Sequence, residues 1–219
     1  MKGIQIAVFA LLVLLATVPG MPLAQEDSNS DNPARLIEQS TDRVLQILRS
    51  HTATGDAVSV SALADELLSN LEPLVDFDSI ARGVMGRHGR AASDTQVEEF
   101  AQVFRESLVS LYARSFRTFE VKEARVLDMP TDFDPATAKK TSVGMQATTA
   151  DGETFSVSYS MRRDDQGSWV VRNILVDGIN LGLTYMNQFD GAMSRYGSVD
   201  EVIAQWPEEM REQPVAGKD

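Results

Sequence analysis

The stretch that decides the fold is residues 167–189, GSWVVRNILVDGINLGLTYMNQF. Its first part is rich in the aliphatic, β-branched and aromatic residues that favour strands, Asp177-Gly178 marks a turn, and a helix is predicted over 181–195. With regular alternation, apolar side chains fall on both faces of the strand, Val170, Ile174 and Val176 on one, and Trp169, Val171 and Leu175 on the other. A strand with one face in water does not need this pattern. The sequence therefore predicts apolar neighbours on both faces.

Three further strands precede this one. Period-two patterns predict strands over 123–129, 141–149 and 154–162, and the quoted stretch supplies the fourth over 168–176. Phe155, Val157, Tyr159 and Met161 alternate with polar residues, so one face of the sheet is apolar. Ala150-Asp151-Gly152 is a turn that joins the middle two strands in antiparallel order.

Outside the strands, the helical spacing of apolar residues predicts α-helices. Six helices are expected. They run over 33–52, from 59 to about 74, from 76–78 to 85, for about 25 residues after 93–96, over 181–195 and over 198–206. Asn32-Pro33 is typical of a helix start, and Ser93-Asp94-Thr95-Gln96 has the form of a capping box. The predicted class is α+β, a twisted antiparallel sheet of about four strands packed against several helices.

The amino terminus reads as an export signal. Lys2 precedes an uncharged apolar run over 4–18, and Pro22-Leu23-Ala24 comes before Gln25, so we predict a signal peptide over 1–24. An uncleaved membrane anchor is the alternative, although the run is short for a span. A disordered leader over 25–31, a domain over 32–206 and a polar tail over 207–219 are predicted to follow.

Composition limits the functions of this chain. Its 219 residues carry a formal net charge of −12 and include no cysteine, so an exported form has no disulfide and relies on core burial. An acidic chain without a basic run is a poor candidate for nucleic acid. The two histidines lack metal-ligand spacing, and no P-loop, Gly-x-Ser-x-Gly or Gly-x-Gly-x-x-Gly motif occurs. We therefore expect neither a bound metal nor nucleotide chemistry.

Two polar groups of residues remain as candidates. Asp76 and Asp78 are spaced for acid–base work, but at a helix start the simpler interpretation is capping of free N–H groups. Arg82, Arg87 and Arg90 are candidates for contact with a phosphate through bidentate hydrogen bonds, and the alternative is a solvated turn or one paired with carboxylates. The sheet, the long helix and the quoted strand also offer more apolar surface than one compact layer needs, which indicates an internal cavity.

Three stretches resemble the signatures of one family. LVDFDSIARGVMGRHGRAASDTQVEEF (74–100) resembles DF..IAR.VLG..WR.A...Q...F, and 167–189 resembles G.W.V.D..VEG.SL...YR.QF. With the ending YGSVDEVIAQW (196–206) the resemblance extends over nearly all of the chain that follows the signal peptide. The family is MlaC, the periplasmic phospholipid-binding proteins also known as toluene-tolerance proteins.

The resemblance implies a periplasmic phospholipid carrier and no catalysis. Its implied partners are an outer-membrane lipoprotein–porin complex and the ring protein of an inner-membrane ABC transporter, and phospholipid is cargo rather than a cofactor. The acyl chains are expected to lie in the cavity between sheet and helices. The transport of phospholipid between the membranes is expected to maintain the lipid asymmetry of the outer membrane. The candidate lining residues are Leu108, Tyr112, Phe116, Met145, Val157, Tyr159, Met161, Val171 and Ile174. Arg82, Arg87 and Arg90 become the candidates for contact with the lipid headgroup or with a partner.

Three positions depart from the family pattern, and two rival functions stay open. Gly89 stands where the family has Trp, Asn173 where it has Asp, and Met186 where it has Arg. If the last two side chains pair in relatives, losing both partners costs far less than losing one. The first rival is an isomerase-like enzyme that uses Asp177 and Tyr159, and the second is a protein-binding envelope factor with a filled core.

Overall fold

The computed structural model describes residues 32–53, 60–115 and 121–211. The predicted signal peptide, the leader and residues 212–219 lie outside the described residues. Within the described ranges, no helix is long and apolar enough to cross a membrane.

Helices and a sheet form separate parts of the chain, which confirms the α+β class. In the described ranges the helices are Pro33–Ala53 (α1), Val60–Leu71 (α2), Phe77–Met85 (α3), Asp94–Ser115 (α4), Leu181–Tyr196 (α5) and Val199–Arg211 (α6), and His88–Arg90 forms a 3₁₀ turn. The strands are Val121–Val126 (β1), Lys140–Thr149 (β2), Thr154–Arg163 (β3), Trp169–Val176 (β4) and Ile179–Asn180 (β5). They pair antiparallel in the order of the chain. The sheet therefore has one short strand more than the four predicted.

Local hydrogen bonds at two helix starts confirm the sequence signals. The Asn32 side-chain oxygen accepts from the backbone N–H of Ala34 at 3.0 Å. Ser93 and Gln96 form the reciprocal capping box, since the Gln96 N–H donates to Ser93 Oγ at 3.1 Å and the Ser93 N–H donates to Gln96 Oε1 at 3.0 Å. Both caps satisfy N–H groups that have no partner inside the helix.

A β-bulge in β4 overturns the expectation of regular alternation. Met161 pairs with Val171 and Ser160 pairs with Asn173, so Arg172 is an extra residue without a partner on β3. Beyond it Tyr159 pairs with Ile174. The extra residue shifts the alternation by one place, and the apolar side chains on both sides of it share the sheet's inner face. The inner face carries Trp169, Val171, Ile174 and Val176, all of them buried.

The strand therefore does not have two equivalent apolar faces. The prediction that Val171 and Ile174 lie on opposite faces is wrong, because both follow the inner row of β3. On the outer face, Val170 is buried and Leu175 is half-buried, and they pair with Arg162 and Ser158.

The turn after β4 is a two-residue hairpin. Asp177 and Gly178 have φ angles of 47° and 81°, the left-handed conformation that the tight turn requires. It leads into β5, and the side chain of Asn180 then caps α5 by accepting from the Leu183 N–H at 3.0 Å. The turn predicted at Asp177-Gly178 is confirmed, and a short strand separates it from the helix.

Helix α6 continues beyond its predicted end near Trp206. It passes through Pro207 to Arg211. Its buried side chains are Val202, Ile203, Trp206 and Met210, at helical spacing. Burial of Met210 stabilises the last turn against the loss of the hydrogen bond that proline cannot donate.

The helices cover the inner face of the sheet in two layers. Helix α1 packs on β1 and β2, and α3 and α5 pack on β4. Behind them α4 contacts α2, α3 and α6. Phe100 and Phe104 on α4 belong to the core, since they are fully buried and pack edge-to-face on Trp206 and Tyr185 respectively. These ring contacts join α4 to α6 and α5.

Candidate functional site

Two small apolar cavities lie between the sheet and the helices. The larger, about 40 Å³, is bordered by β4, α3, α4 and α5. The smaller, about 20 Å³, lies under α1. The larger is lined by Val75, Phe77, Ile80, Phe104, Leu108, Asn173, Ile174, Leu181, Gly182 and Tyr185. The smaller is lined by Ile37, Ser40, Thr41, Val44, Leu71, Leu74, Val75, Tyr159, Val171 and Ile174.

Val75 and Ile174 line both cavities and form the partition between them. Val75 belongs to residues 74–77, which connect α2 to α3 and are called the strap here. Val171 fastens the strap to the edge of β4, donating to the Leu74 carbonyl at 2.8 Å and accepting from the Asp76 N–H at 3.2 Å. The strap thereby acts as one more short strand beside β4.

The nine predicted lining residues fall into three groups. Leu108 lines the larger cavity, Tyr159 and Val171 line the smaller, and Ile174 lines both. A second group is buried on the inner face of the sheet without reaching either cavity, Met145, Val157 and Met161. For the last group the structure gives no placement, since Phe116 lies outside the described residues and the side chain of Tyr112 is not described.

Sequence reasoning missed the walls that α1, the strap and α5 supply. Ile37 and Val44 on α1, and Tyr185 on α5, have helical spacing that predicts an ordinary core face. The one local signal is Thr41, a hydroxyl within the apolar stripe of α1. It is buried and donates to the Ile37 carbonyl of its own helix, which satisfies the polar group without occupying the cavity.

The hydroxyl of Tyr159 is the polar group on the sheet side of the smaller cavity. It points to the sulfur of Met145 at 4.0 Å. Burial raises the pKa of this phenol well above 10, so it stays neutral at physiological pH. Asp177, the other residue of the enzyme hypothesis, is exposed and accepts from the Ser156 N–H at 2.8 Å. Tyr159 is therefore part of the core, and Asp177 stabilises the turn after β4.

The predicted arginines are exposed, Arg82 on α3 and Arg87 and Arg90 just after it, and two of them lie near carboxylates. Arg87 approaches Asp190 at 3.0 Å, and Arg82 approaches Asp94 at 3.5 Å. Arg90 is also exposed. None of the three lines either cavity described here. Their contact with a headgroup or partner remains a prediction.

Asp76 has the capping role that the sequence favoured, and a second role as well. One carboxylate oxygen accepts from the Ser79 N–H at 3.0 Å at the start of α3. The other lies 2.6 Å from a guanidinium nitrogen of Arg172, the extra residue of the bulge. Asp78 is exposed and does not line the cavities described. The two carboxylates therefore do not form an acid–base pair at the site.

The three departures from the family pattern have separate surroundings. Asn173 accepts from the Gly182 N–H and donates to Asn180, both at 3.0 Å, and the second bond needs an amide rather than a carboxylate. A side chain at Gly86 would contact Met186 at 3.1 Å, so Met186 packs against that turn. A Cβ at Gly89 would lie 3.0 Å from that of Met85, so a larger residue there requires the turn to shift.

A comparison with protein families decides the relationship. The family model described as MlaC protein matches residues 38–208, which include the strap, the bulge and every residue that lines the two cavities except Ile37. The chain belongs to the MlaC family. This MlaC chain is 31% identical over 205 residues to the toluene tolerance protein ttg2D of Pseudomonas putida, covering 91% of the chain and 89% of that relative.

A solved structure shares the fold of this MlaC chain. It is the phospholipid-binding protein from Ralstonia solanacearum in complex with a phospholipid, matched with a TM-score of 0.65 and 23% identity. The match covers 81% of this chain and 96% of that one. At this identity the likeness establishes the arrangement of helices and sheet and nothing about ligands.

Proposed function

We propose that this MlaC protein is a carrier that binds phospholipid acyl chains between its sheet and helices. The observation that carries the proposal is the pair of apolar cavities that meet at Val75 and Ile174. A phospholipid has two tails, and the two cavities share the walls formed by Val75 and Ile174. The relative named for toluene tolerance and the neighbour solved with a phospholipid support a lipid as the ligand.

The energetics favour a passive carrier. Exposing a two-tailed phospholipid of on the order of 30 methylenes to water costs about 24 kcal/mol at ~0.8 kcal/mol each. A carrier must replace most of that burial with its own apolar walls. The cavities of about 40 and about 20 Å³ are smaller than a tail, so uptake requires the sheet and helices to separate. Transfer between a bilayer and the protein is then nearly balanced, and an energised partner supplies direction.

The carrier is proposed to work in the periplasm, between the two membranes. It receives phospholipid from an outer-membrane lipoprotein–porin complex and exchanges it with the ring protein of an inner-membrane ABC transporter, which maintains outer-membrane lipid asymmetry. Mass spectrometry of protein recovered from the periplasm tests export and cleavage. The measured mass should be that of a chain that begins at Gln25. Crosslinking in cells should capture both membrane complexes.

A lipid-extraction experiment tests the carrier function itself. Purified protein freed of lipid is mixed with vesicles containing fluorescent phospholipid, and the lipid recovered with the protein is measured. Ile174→Phe fills the partition of the cavities and should abolish uptake. Leu175→Phe, one residue further along on the outer face, is the matched control and should retain it. Circular dichroism establishes that both variants are folded.

Two outcomes would contradict the proposal. If the unmodified protein takes no lipid from vesicles and none copurifies with it from its host, the chain is an interaction protein rather than a carrier. If folded Ile174→Phe carries lipid as well as the control does, the acyl chains do not use these cavities. An enzymatic role has less support, because burial keeps Tyr159 neutral and Asp177 stabilises a hairpin.

A further inference from the structure

The ion pair between Arg172 and Asp76 lies beside the partition of the two cavities. Arg172 is preceded by Val171, which lines the smaller cavity, and followed by Asn173, which lines the larger. On the strap, Asp76 lies between Val75, which lines both cavities, and Phe77, which lines the larger. The pair therefore connects the two backbones at the place where the cavities meet.

This ion pair is accessible from solvent. The side chain of Arg172 is 34% exposed and that of Asp76 is 22% exposed. Both residues are held by backbone structure, Arg172 by the bulge and Asp76 by its capping bond to Ser79. Neither side chain lines a cavity, but each is flanked in the chain by residues that do, so the guanidinium is held next to the partition and open to water.

We propose that Arg172 binds the phosphate group of the lipid, and that Asp76 is the carboxylate which the phosphate displaces. This inference rests on the proposed function. Two tails that enter the two cavities leave the phosphodiester at the partition, where the guanidinium lies. Arginine suits this role because its planar fork donates two parallel hydrogen bonds to phosphate or carboxylate oxygens. Asp76 keeps its other oxygen on Ser79 during the exchange, so α3 stays capped.

The exchange explains why a lipid-binding chain of net charge −12 places a carboxylate beside its headgroup site. The Asp76 carboxylate satisfies the partly buried guanidinium whenever no phosphate is bound, which avoids an unpaired charge. It also competes with the phosphate and thereby keeps the lipid releasable. This site assigns the headgroup to Arg172 rather than to Arg82 on α3 or to Arg87 and Arg90 just after that helix.

Two variants of the pair separate ligand binding from a structural role. Arg172→Gln removes the cation and should weaken binding of phosphatidylglycerol by about tenfold or more, the effect of losing a charged hydrogen bond. Asp76→Asn removes the competing carboxylate but keeps a good N-cap, and it should tighten the same binding. If the pair only fastened the strap, both variants would shift lipid affinity in the same direction. That result would overturn the proposal.

The choice of lipids tests the phosphate directly. Diacylglycerol has two tails and no phosphate, so Arg172→Gln and the unmodified protein should bind it equally. Arg195→Gln is the matched control, since Arg195 also pairs with a carboxylate, Glu209, but lies near the end of α5 and lines neither cavity. It should change neither affinity. Equal affinity of Arg172→Gln and unmodified protein for phosphatidylglycerol would refute the phosphate contact, and the carrier function would still stand.

A tail-free phosphate tests the alternative source of the same chemistry. Glycerol phosphate should compete weakly with phosphatidylglycerol, because it gains nothing from the cavities. If it binds as tightly as the lipid and loses that affinity in Arg172→Gln, the site is for free phosphate and the headgroup assignment is wrong. If the unmodified protein binds neither phosphatidylglycerol nor diacylglycerol, the proposed carrier function fails instead.

Discussion

Shortening Ile174 to alanine tests the partition between the cavities. The change removes three carbon atoms, which costs about 2.4 kcal/mol at ~0.8 kcal/mol for each methylene-sized group. Ile174 lines both cavities, so the space left by its side chain merges with them and the surrounding side chains cannot fill it. Each ~40 Å³ of added cavity costs about 1 kcal/mol more. We expect a total loss of about 4 kcal/mol in the free energy of unfolding, near the top of the ~2–5 kcal/mol range for such changes.

Leu175→Ala is the control for this substitution. It removes the same number of carbon atoms from the next position, but Leu175 is half-buried on the outer face. We expect a loss of about 1 kcal/mol. Urea unfolding followed by circular dichroism measures both values.

Added phospholipid completes the test. Lipid at about 100 times its dissociation constant stabilises a binding-competent protein by ~2.7 kcal/mol. Because an acyl chain fills the space vacated in Ile174→Ala, the gap between this variant and unmodified protein should narrow by about 1 kcal/mol or more. The gap for Leu175→Ala should stay the same. Equal losses in the two variants, or a gap at Ile174 that lipid leaves unchanged, would refute the reasoning.

Three further predictions concern the bulge, the hairpin and the buried phenol. Val171→Phe and Ile174→Phe should both reduce lipid uptake from vesicles, because the bulge puts the two side chains on one face of the sheet. Loss of uptake in only one of the two variants would instead support a regularly alternating strand. Gly178→Ala should cost about 1–2 kcal/mol of stability in urea without changing uptake, since alanine is strained at a φ of 81°; an unchanged stability would contradict that conformation. Because burial raises the pKa of Tyr159 above 10, the unfolded chain loses this proton first, and stability should fall as pH rises past about 10. Tyr159→Phe should remove that part of the pH dependence, and identical profiles for the two proteins would argue against burial of the phenol.

Local pattern was enough to predict most elements of this fold, although not the short strand β5 or the end of α6. The capping box at Ser93 and Gln96, the asparagine cap at Asn32 and the turn at Asp177-Gly178 depend on neighbours within a few residues. The alternation along β3 is likewise a property of consecutive residues, and it predicted the inner row correctly. For the same reason the resemblance to MlaC could be drawn from short stretches that carry these signals.

The site depended on contacts that consecutive residues do not reveal. Whether Val171 and Ile174 share a face is decided by the register of β4 against β3, where Arg172 has no partner. The strap contacts β4 through the pair of Asp76 and Arg172, which are 96 residues apart in the sequence. Sequence determined which side chains are apolar and which turns are tight. Tertiary structure alone decided which of them enclose a cavity, because burial and register are fixed by the free energy of packing distant segments together.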